Sequence, residues 1–151
     1  MTIRLIASDL DGTLLRSDGQ LSPRTKTAIA AAQAAGVVVV FVTARPPRVV
    51  HELAHAAGLT GLVVCANGAM IYDVGADALV HHERLDAELA REFGQRLRAR
   101  APGVVFATEH GHQMNFEPNF PRLFEDVVDE AAIRIDDVDA LCEDDITKLI
   151  V

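Results

Sequence analysis

Residues 3–15 read Ile-Arg-Leu-Ile-Ala-Ser-Asp-Leu-Asp-Gly-Thr-Leu-Leu, and the fold prediction rests on this segment. The apolar run from Ile3 to Ala7 predicts a buried strand, which Gly12 ends. Two carboxylates, Asp9 and Asp11, lie two residues apart at its C-terminal end. Because side chains alternate along an extended chain, both are expected to point the same way. Open α/β sheets bind their ligands at this end of their strands, so the pair is a candidate site.

The two carboxylates indicate a particular chemistry. Adjacent carboxylates repel each other, and a cation between them relieves the repulsion. Mg²⁺ suits such a place because it prefers hard oxygen ligands, retains several waters and binds phosphate. One carboxylate can attack phosphorus and become an aspartyl-phosphate, while the other protonates the leaving oxygen and then activates water.

Two other interpretations of this stretch are a plain Asp-Gly turn at the end of a strand and a calcium loop. An EF-hand loop requires Gly at its sixth position and Glu at its twelfth. Counted from Asp9, those positions hold Leu14 and Gln20, so the calcium loop fits poorly.

The segment Asp-Leu-Asp-Gly-Thr-Leu-Leu resembles the first motif, of DxDGT form, of the haloacid dehalogenase-like (HAD) phosphatases. The resemblance implies that Asp9 is the nucleophile and Asp11 the general acid and base. It also implies Mg²⁺ as the cofactor, with Asp9 and Asp11 as its ligands. The expected function is that of a Mg-dependent phosphatase acting on a small phosphorylated metabolite.

The next segment predicts a helix and a second strand that returns to the same edge. Ser22 and Pro23 are typical of a helix start, and Gly36 ends the helix after Ala35. The β-branched run 37–42 predicts a strand buried on both faces, as in parallel sheets. Since strand–helix–strand crossovers are right-handed, the second strand is expected to end beside the first.

A hydroxyl and a guanidinium follow this second strand, in Thr43-Ala44-Arg45-Pro46. The Thr43 hydroxyl can donate to a phosphate oxygen, cap the next helix, or do both. The segment resembles the second HAD motif and the Thr-Gly-Arg-Pro pattern of the Cof-type branch, with Ala44 in place of Gly. The resemblance implies that Thr43 binds phosphate, while Arg45 either contacts phosphate or braces the loop.

A third strand is predicted over 62–65, followed by Asn67-Gly68-Ala69 and a hairpin over 70–82. The triplet also resembles the Cof-type branch, where it lies near the active site. Asn67 is therefore a candidate substrate contact, with a plain turn as the alternative.

The predicted helix 47–57 contains His51-Glu-Leu-Ala-His55, which matches the HExxH pattern of zinc hydrolases. A zinc site would require a third ligand, and the position of the segment in a crossover helix argues against one. We therefore expect both histidines to face solvent.

The C-terminal half predicts a separate α+β unit. Asp86 is expected to begin a helix that ends near Ala101, with Leu89, Phe93 and Leu97 on one face. The remaining predicted elements are strands over 104–108 and 113–116, an amphipathic helix over 121–131, a helical turn over 139–142 and a strand over 146–151.

This order of elements resembles the cap that Cof-type (class IIB) phosphatases insert after the third core strand. The expected fold class is α/β. An incomplete Rossmann-like, parallel-sheet HAD core is predicted over 1–84, and an incomplete cap over 85–151.

Composition argues against several kinds of partner. A net charge of −8 with scattered basic residues argues against nucleic acid and anionic membranes. No apolar run approaches the roughly 20 residues of a membrane span. Cys65 and Cys142 are far apart and match no metal or redox spacing, which predicts a reduced, cytoplasmic protein.

The resemblance stops before two motifs of the family: a Lys that neutralises phosphate, and a Gly-Asp-x-x-x-Asp segment that completes the Mg²⁺ site. Lys148 lies in a strand-like segment and is not assigned the first of these roles. We therefore expect a reduced rate and an exposed sheet edge beside the first strand. Such an edge predicts a fragment of a longer protein, or a homo-oligomer formed through the edge by direct or domain-swapped association. The alternative function is that of a non-catalytic fragment that binds phosphate or a partner chain.

Overall fold

The first sheet has five strands, which lie in the same order in space as along the chain. The first three run parallel, the fourth runs antiparallel to the third, and the fifth forms the far edge. The predicted α/β fold with a parallel core sheet is therefore confirmed. The strands are β1 (Leu5–Asp9), β2 (Val38–Val42), β3 (Leu62–Cys65), β4 (Met70–Asp73) and β5 (Ala78–His82).

The computed structural model describes residues 2–121 and 133–151. By its internal contacts the chain divides into two compact units, Met1–His81 and His82–Val151. The five-stranded sheet defines the first unit.

Two helices connect the parallel strands, and local signals set their ends. Helix α1 (Pro23–Ala34) begins at Ser22, whose side chain accepts a hydrogen bond from the Thr25 N–H at 3.0 Å. Helix α2 (Pro47–Ala57) ends at Gly58, which adopts a left-handed φ of 67°. The predicted start of α1 and both bounds of α2 are confirmed, and α1 ends one residue earlier than predicted.

One face of the sheet carries the core of the first unit. Alternate residues of β2 and β3 on this face are buried, with Phe41 and Val63 each 1% exposed. Partly buried residues of α1 and the buried Val50 and Ala54 of α2 pack against the same cluster. Because both helices cover this face, the side chains that alternate with the core residues are half-buried or exposed.

The expected burial of β1 is wrong, and the expected burial of β2 on both faces holds for one face only. Ile3, Leu5 and Ile6 are 70%, 55% and 40% exposed, because β1 is an edge strand. Val38 of β2 is 54% exposed, since helices cover only one face of the sheet. The predicted exposed apolar edge is confirmed for Ile3, Leu5 and Ile6, which belong to β1 and to the segment before it.

The second unit is built around a three-stranded antiparallel sheet in the order β7-β6-β8. Its strands pair around the predicted turn at Gly111, and Lys148 lies in β8 opposite Glu109. Lys148 thus belongs to a strand of this sheet, as predicted. The elements are α3 (Ala87–Arg100), β6 (Ala107–His110), β7 (Gln113–Phe116), α4 (Val138–Leu141) and β8 (Lys148–Ile150).

Helix α3 buries only part of the face predicted, since Leu97 packs against the core of the second unit. Leu89 and Phe93 are each 55% exposed, whereas Ala90 is fully buried and Gly94 is buried. A Cβ on Gly94 would lie 3.2 Å from Cγ2 of Val138, so this glycine permits close packing of the helix. The prediction was wrong for Leu89 and Phe93 because it followed the large apolar residues, whereas the small residues Ala90 and Gly94 share the packed face with Leu97.

The predicted amphipathic helix over 121–131 lies outside the described residues, apart from Pro121. Within the described ranges, none of the helices combines the length and the apolar character that crossing a membrane demands.

Candidate active site

The polar residues predicted from the sequence lie at the C-terminal ends of the parallel strands β1, β2 and β3. Asp9 pairs with Val42, and Val42 pairs with Val64, so β1, β2 and β3 end at the same level. The loops that follow these strands therefore start side by side. After β1 the chain makes a turn closed by the Leu15 N–H, which donates to the carbonyl of Leu10 at 2.8 Å.

Asp9 is exposed at the tip of β1 and is held by its own turn. Oγ1 of Thr13 donates to Oδ2 of Asp9 at 3.2 Å. Gly12 permits this return of the chain because it adopts a positive φ of 72°. The hydroxyl of Thr13 therefore orients the carboxylate of Asp9, a role that the sequence analysis did not identify.

Asp11 is bound by Arg45 from the loop after β2, 34 residues away. Nε of Arg45 donates to Oδ2 of Asp11 at 2.9 Å, and the terminal Nη2 donates to Oδ1 at 2.7 Å. The hydrogen bond to Asp11 raises the pKa of the Arg45 guanidinium, and the charge of the carboxylate adds to this effect. The side chains of Arg45 and Asp11 are 38% and 51% exposed, so solvent and ligands can reach the pair.

Thr43 is buried and organises the loop that carries Arg45. Its Oγ1 accepts a hydrogen bond from the Arg45 N–H at 3.2 Å, and its own N–H donates to the carbonyl of Val64 at 2.9 Å. The side chain of Thr43 thus braces the backbone of the loop. Helix α2 has Pro46 at its N-cap and no side-chain cap, so the expectation that Thr43 caps this helix is wrong. Its expected contact with phosphate remains a prediction.

Asn67 lies in a left-handed turn after β3. Ala66, Asn67 and Gly68 have φ values of 51°, 58° and 98°. Such values cost a residue with a Cβ about 1–2 kcal/mol, so the surroundings must impose them. The N–H of Ala66 donates to the carbonyl of Arg45 at 2.9 Å, and the N–H of Asn67 donates to the carbonyl of Thr43 at 3.4 Å. These bonds join the third loop to the second and leave the Asn67 residue exposed.

The structure thus brings four of the five predicted residues into one bonded network: Asp11, Thr43, Arg45 and Asn67 are linked directly or through Ala66. Asp9 lies at the same edge, held by Thr13.

The donor set at this edge is compatible with Mg²⁺. The available groups are hard oxygens, the exposed carboxylates of Asp9 and Asp11, and such a small set suits an ion that retains waters. Among residues 2–121 and 133–151, no cluster of three or more His, Cys, Asp or Glu side chains could hold a metal ion.

The histidine pair of α2 takes part in a different contact. Nδ1 of His51 lies 2.8 Å from the hydroxyl of Tyr72, and this hydroxyl donates to a carboxylate oxygen of Asp77. The side chain of His51 is 41% exposed, so it faces solvent as expected, and it also contacts a tyrosine of β4 that the sequence did not indicate. His55 is exposed, as expected.

Comparison with known proteins gives consistent matches. A family model for haloacid dehalogenase-like hydrolases matches residues 6–150. Phosphatase YwpJ from Bacillus subtilis is 41% identical over 91 residues, which are 60% of this chain and 32% of that protein. Pyridoxal phosphate phosphatase YbhA from Escherichia coli is 39% identical over 80 residues, 53% of this chain and 29% of that protein.

Among solved structures, a haloacid dehalogenase-like hydrolase from B. subtilis superimposes with a TM-score of 0.66 and 32% identity. The superposition covers 82% of this chain and 42% of that one. The chain therefore spans less than half the length of these relatives.

Proposed function

The chain belongs to the haloacid dehalogenase-like hydrolase family, and from this premise we propose that it hydrolyses the phosphate ester of a small metabolite. The observation that carries the proposal is the exposed pair of carboxylates at the tip of β1, beside a guanidinium from the loop after β2. This arrangement supplies a nucleophile, a proton carrier and a cation at one edge of a sheet.

Asp9 is the proposed nucleophile. Its carboxylate oxygen attacks phosphorus, the bond from phosphorus to the ester oxygen breaks, and Asp11 donates a proton to the departing alkoxide. Asp11, now ionised, takes a proton from water, and the resulting hydroxide attacks the phosphorus of the aspartyl-phosphate. Inorganic phosphate leaves, and both carboxylates return to their starting states.

The loops after β2 and β3 are the proposed phosphate and substrate contacts. The guanidinium of Arg45 matches the geometry of a phosphate and can bind two of its oxygens at once. Thr43 supplies a hydroxyl, and the exposed Asn67 supplies an amide at the adjacent loop.

Asp9 and Asp11 are the residues that would hold Mg²⁺. When bound, the ion would neutralise charge on the phosphoryl oxygens. Orientation of Asp9 depends on Thr13, and orientation of Asp11 depends on Arg45.

Steady-state hydrolysis of p-nitrophenyl phosphate with Mg²⁺ tests this proposal. We expect Asp9→Asn to lower the rate by orders of magnitude because the amide is a poor nucleophile. Asp144→Asn is the matched control, since Asp144 is an exposed carboxylate of the second unit, and it should retain the wild-type rate. Circular dichroism checks that each variant folds. Full activity in Asp9→Asn would refute the assignment.

Pyridoxal phosphate is the first natural ester to try, because one relative carries that substrate in its name. Sugar phosphates and nucleotides form the comparison set. A preference among them would define the substrate class.

A second role, association with another chain, is favoured by one observation. The edge strand β1 and the segment before it expose Ile3, Leu5 and Ile6, and such an edge offers unpaired backbone groups to a partner. We expect the chain to form homo-oligomers through this edge. Light scattering should show an oligomer that Leu5→Lys weakens, and a monomer at every concentration would refute this role.

A further inference from the structure

We propose that Arg45 holds Asp11 in the resting chain and exchanges this carboxylate for the phosphate of the substrate, which releases Asp11 for proton transfer. The inference rests on the proposed function, and it makes Arg45 a positioning residue as well as a phosphate ligand. Its basis is the pairing of Arg45 with both oxygens of Asp11.

In the resting chain, the pairing with Arg45 prevents Asp11 from acting as the proposed proton carrier. Oδ2 accepts from Nε of Arg45 at 2.9 Å, and Oδ1 accepts from Nη2 at 2.7 Å. As the carboxylate partner of the Arg45 guanidinium, Asp11 carries no proton for the ester oxygen of a substrate. A step that uses Asp11 as a proton donor therefore requires that this pair opens and that the freed side chain takes up a proton from water.

The backbone around Arg45 is anchored, so the exchange involves its side chain. The Arg45 N–H donates to Oγ1 of Thr43, and the Arg45 carbonyl accepts from the N–H of Ala66. These two bonds fix the start of the side chain relative to β2 and β3. Its guanidinium can then turn from a carboxylate to a neighbouring oxyanion without moving the loop.

The magnitudes favour the exchange. Both partners are substantially exposed, at 38% and 51%, and an exposed ion pair is worth a factor of about five or less in an equilibrium constant. A phosphate offers more negative charge and the same two-oxygen geometry, and charge-assisted paired hydrogen bonds of this kind are the stronger ones. Asp9 does not depend on Arg45, since Thr13 holds it, and it keeps its place during the exchange.

The exchange predicts a distinctive pattern in the binding of inorganic phosphate, measured by calorimetry without added metal. Asp11→Asn should tighten binding up to about fivefold, because Arg45 no longer has a competing partner. Arg45→Ala should weaken binding by about tenfold or more through loss of the guanidinium. Arg24→Ala is the matched control, because Arg24 is an exposed arginine of α1, and it should bind phosphate like the wild type.

The double variant Asp11→Asn/Arg45→Ala separates exchange from simple repulsion. If Asp11 competes for Arg45, the gain from Asp11→Asn disappears when Arg45 is absent. If Asp11 only repels phosphate, the gain persists in the double variant, and the proposal is overturned. It is also overturned if Asp11→Asn leaves phosphate affinity unchanged while Arg45→Ala lowers it.

Turnover gives a second readout. Arg45→Ala should raise KM, because the guanidinium that binds phosphate is lost. Arg45→Lys keeps a positive charge but cannot bind two oxygens in one plane, so its KM should lie between those of the wild type and Arg45→Ala. Unchanged KM in both variants would contradict the exchange.

The binding cycle needs no catalysis. If no ester is hydrolysed and the cycle still shows coupling, the exchange stands and the phosphatase proposal fails. If esters are hydrolysed and the cycle shows no coupling, the phosphatase proposal stands and the exchange is refuted.

Discussion

The two units of this chain use carboxylates in opposite ways. In the first, Asp9 and Asp11 are exposed at the end of a strand, and each is held by a side chain from a loop. In the second, Glu109 and Glu117 are only 2% and 6% exposed and lie inside the unit. The same functional group is thus the proposed reactive group where solvent and ligands can reach it, and a structural one where they cannot.

Glu117 shows the architectural use in detail. Its Oε2 accepts from the Phe106 N–H at 3.0 Å, its Oε1 accepts from the Val138 N–H at 3.0 Å, and Nη2 of Arg98 donates to both oxygens at 2.5 Å. One carboxylate therefore ties α3 to the segment before β6 and to the start of α4. A buried charge is tolerated because these donors replace the water it has lost.

The largest effect on stability is expected from Glu117→Ala. It would leave two buried N–H groups without their acceptor, at a cost of about 1–3 kcal/mol each. It would also remove the partner of Arg98, whose side chain is 37% exposed. Glu92→Ala is the matched control, because Glu92 forms an exposed pair with Arg96 one turn away on α3, and it should cost about 0.3–0.5 kcal/mol. Urea unfolding measures both.

Glu117→Gln retains the shape and one acceptor, and it provides a second test if Glu117→Ala does not fold. We expect its stability to lie between the wild type and Glu117→Ala. Equal stability of Glu117→Ala and Glu92→Ala would show that the buried carboxylate of Glu117 does not support the second unit.

A smaller, pH-dependent effect is expected from Tyr72, a buried polar group of the first unit. Burial and then the hydrogen bond to Asp77 raise the pKa of Tyr72 to about 12, against about 10 in an unfolded chain. Between these values the unfolded state has already lost a proton that the folded state keeps, so stability falls as pH rises. Below about pH 10 the full contribution is present.

Urea unfolding of the wild type and Tyr72→Phe across this range measures the effect. The wild type should lose stability faster than the variant between about pH 10 and 12. Parallel curves would show that Tyr72 is not held in its neutral form by folding.

The smallest effect on stability is expected from Asp11→Asn. Its ion pair with Arg45 is exposed, and such pairs contribute about 0–1 kcal/mol. The same change should nevertheless reduce phosphatase turnover strongly, because it removes the proposed proton carrier. A large loss of stability would show that Asp11, like Glu117, is needed to stabilise the fold.

Local sequence signals predicted most of the fold because they act over a few residues. Ser22 and Pro23 start α1, and Gly58 ends α2, where capping and a left-handed residue leave little choice. The positions of Asp9 and Thr43 followed from the alternation of strand side chains and from the parallel crossover. The common edge of the three strands was thus predictable.

Long-range contacts could not be predicted from the sequence because no local pattern encodes them. The pairing of Asp11 with Arg45 joins residues 34 positions apart, and the contact of His51 with Tyr72 depends on where α2 lies over β4. Part of the buried face of α3 was missed because Gly94 packs through the absence of a side chain, which hydrophobic periodicity does not register.

The proposed phosphatase mechanism depends most on covalent chemistry at Asp9. Chain mixed with p-nitrophenyl phosphate and Mg²⁺ is quenched in acid, reduced with borohydride and analysed by peptide mass spectrometry, which detects an aspartyl-phosphate as homoserine. We predict homoserine at position 9 in the wild type and in Asp144→Asn, and none in Asp9→Asn. Ester hydrolysis that persists in Asp9→Asn, or labelling confined to a carboxylate of the second unit, would contradict the account.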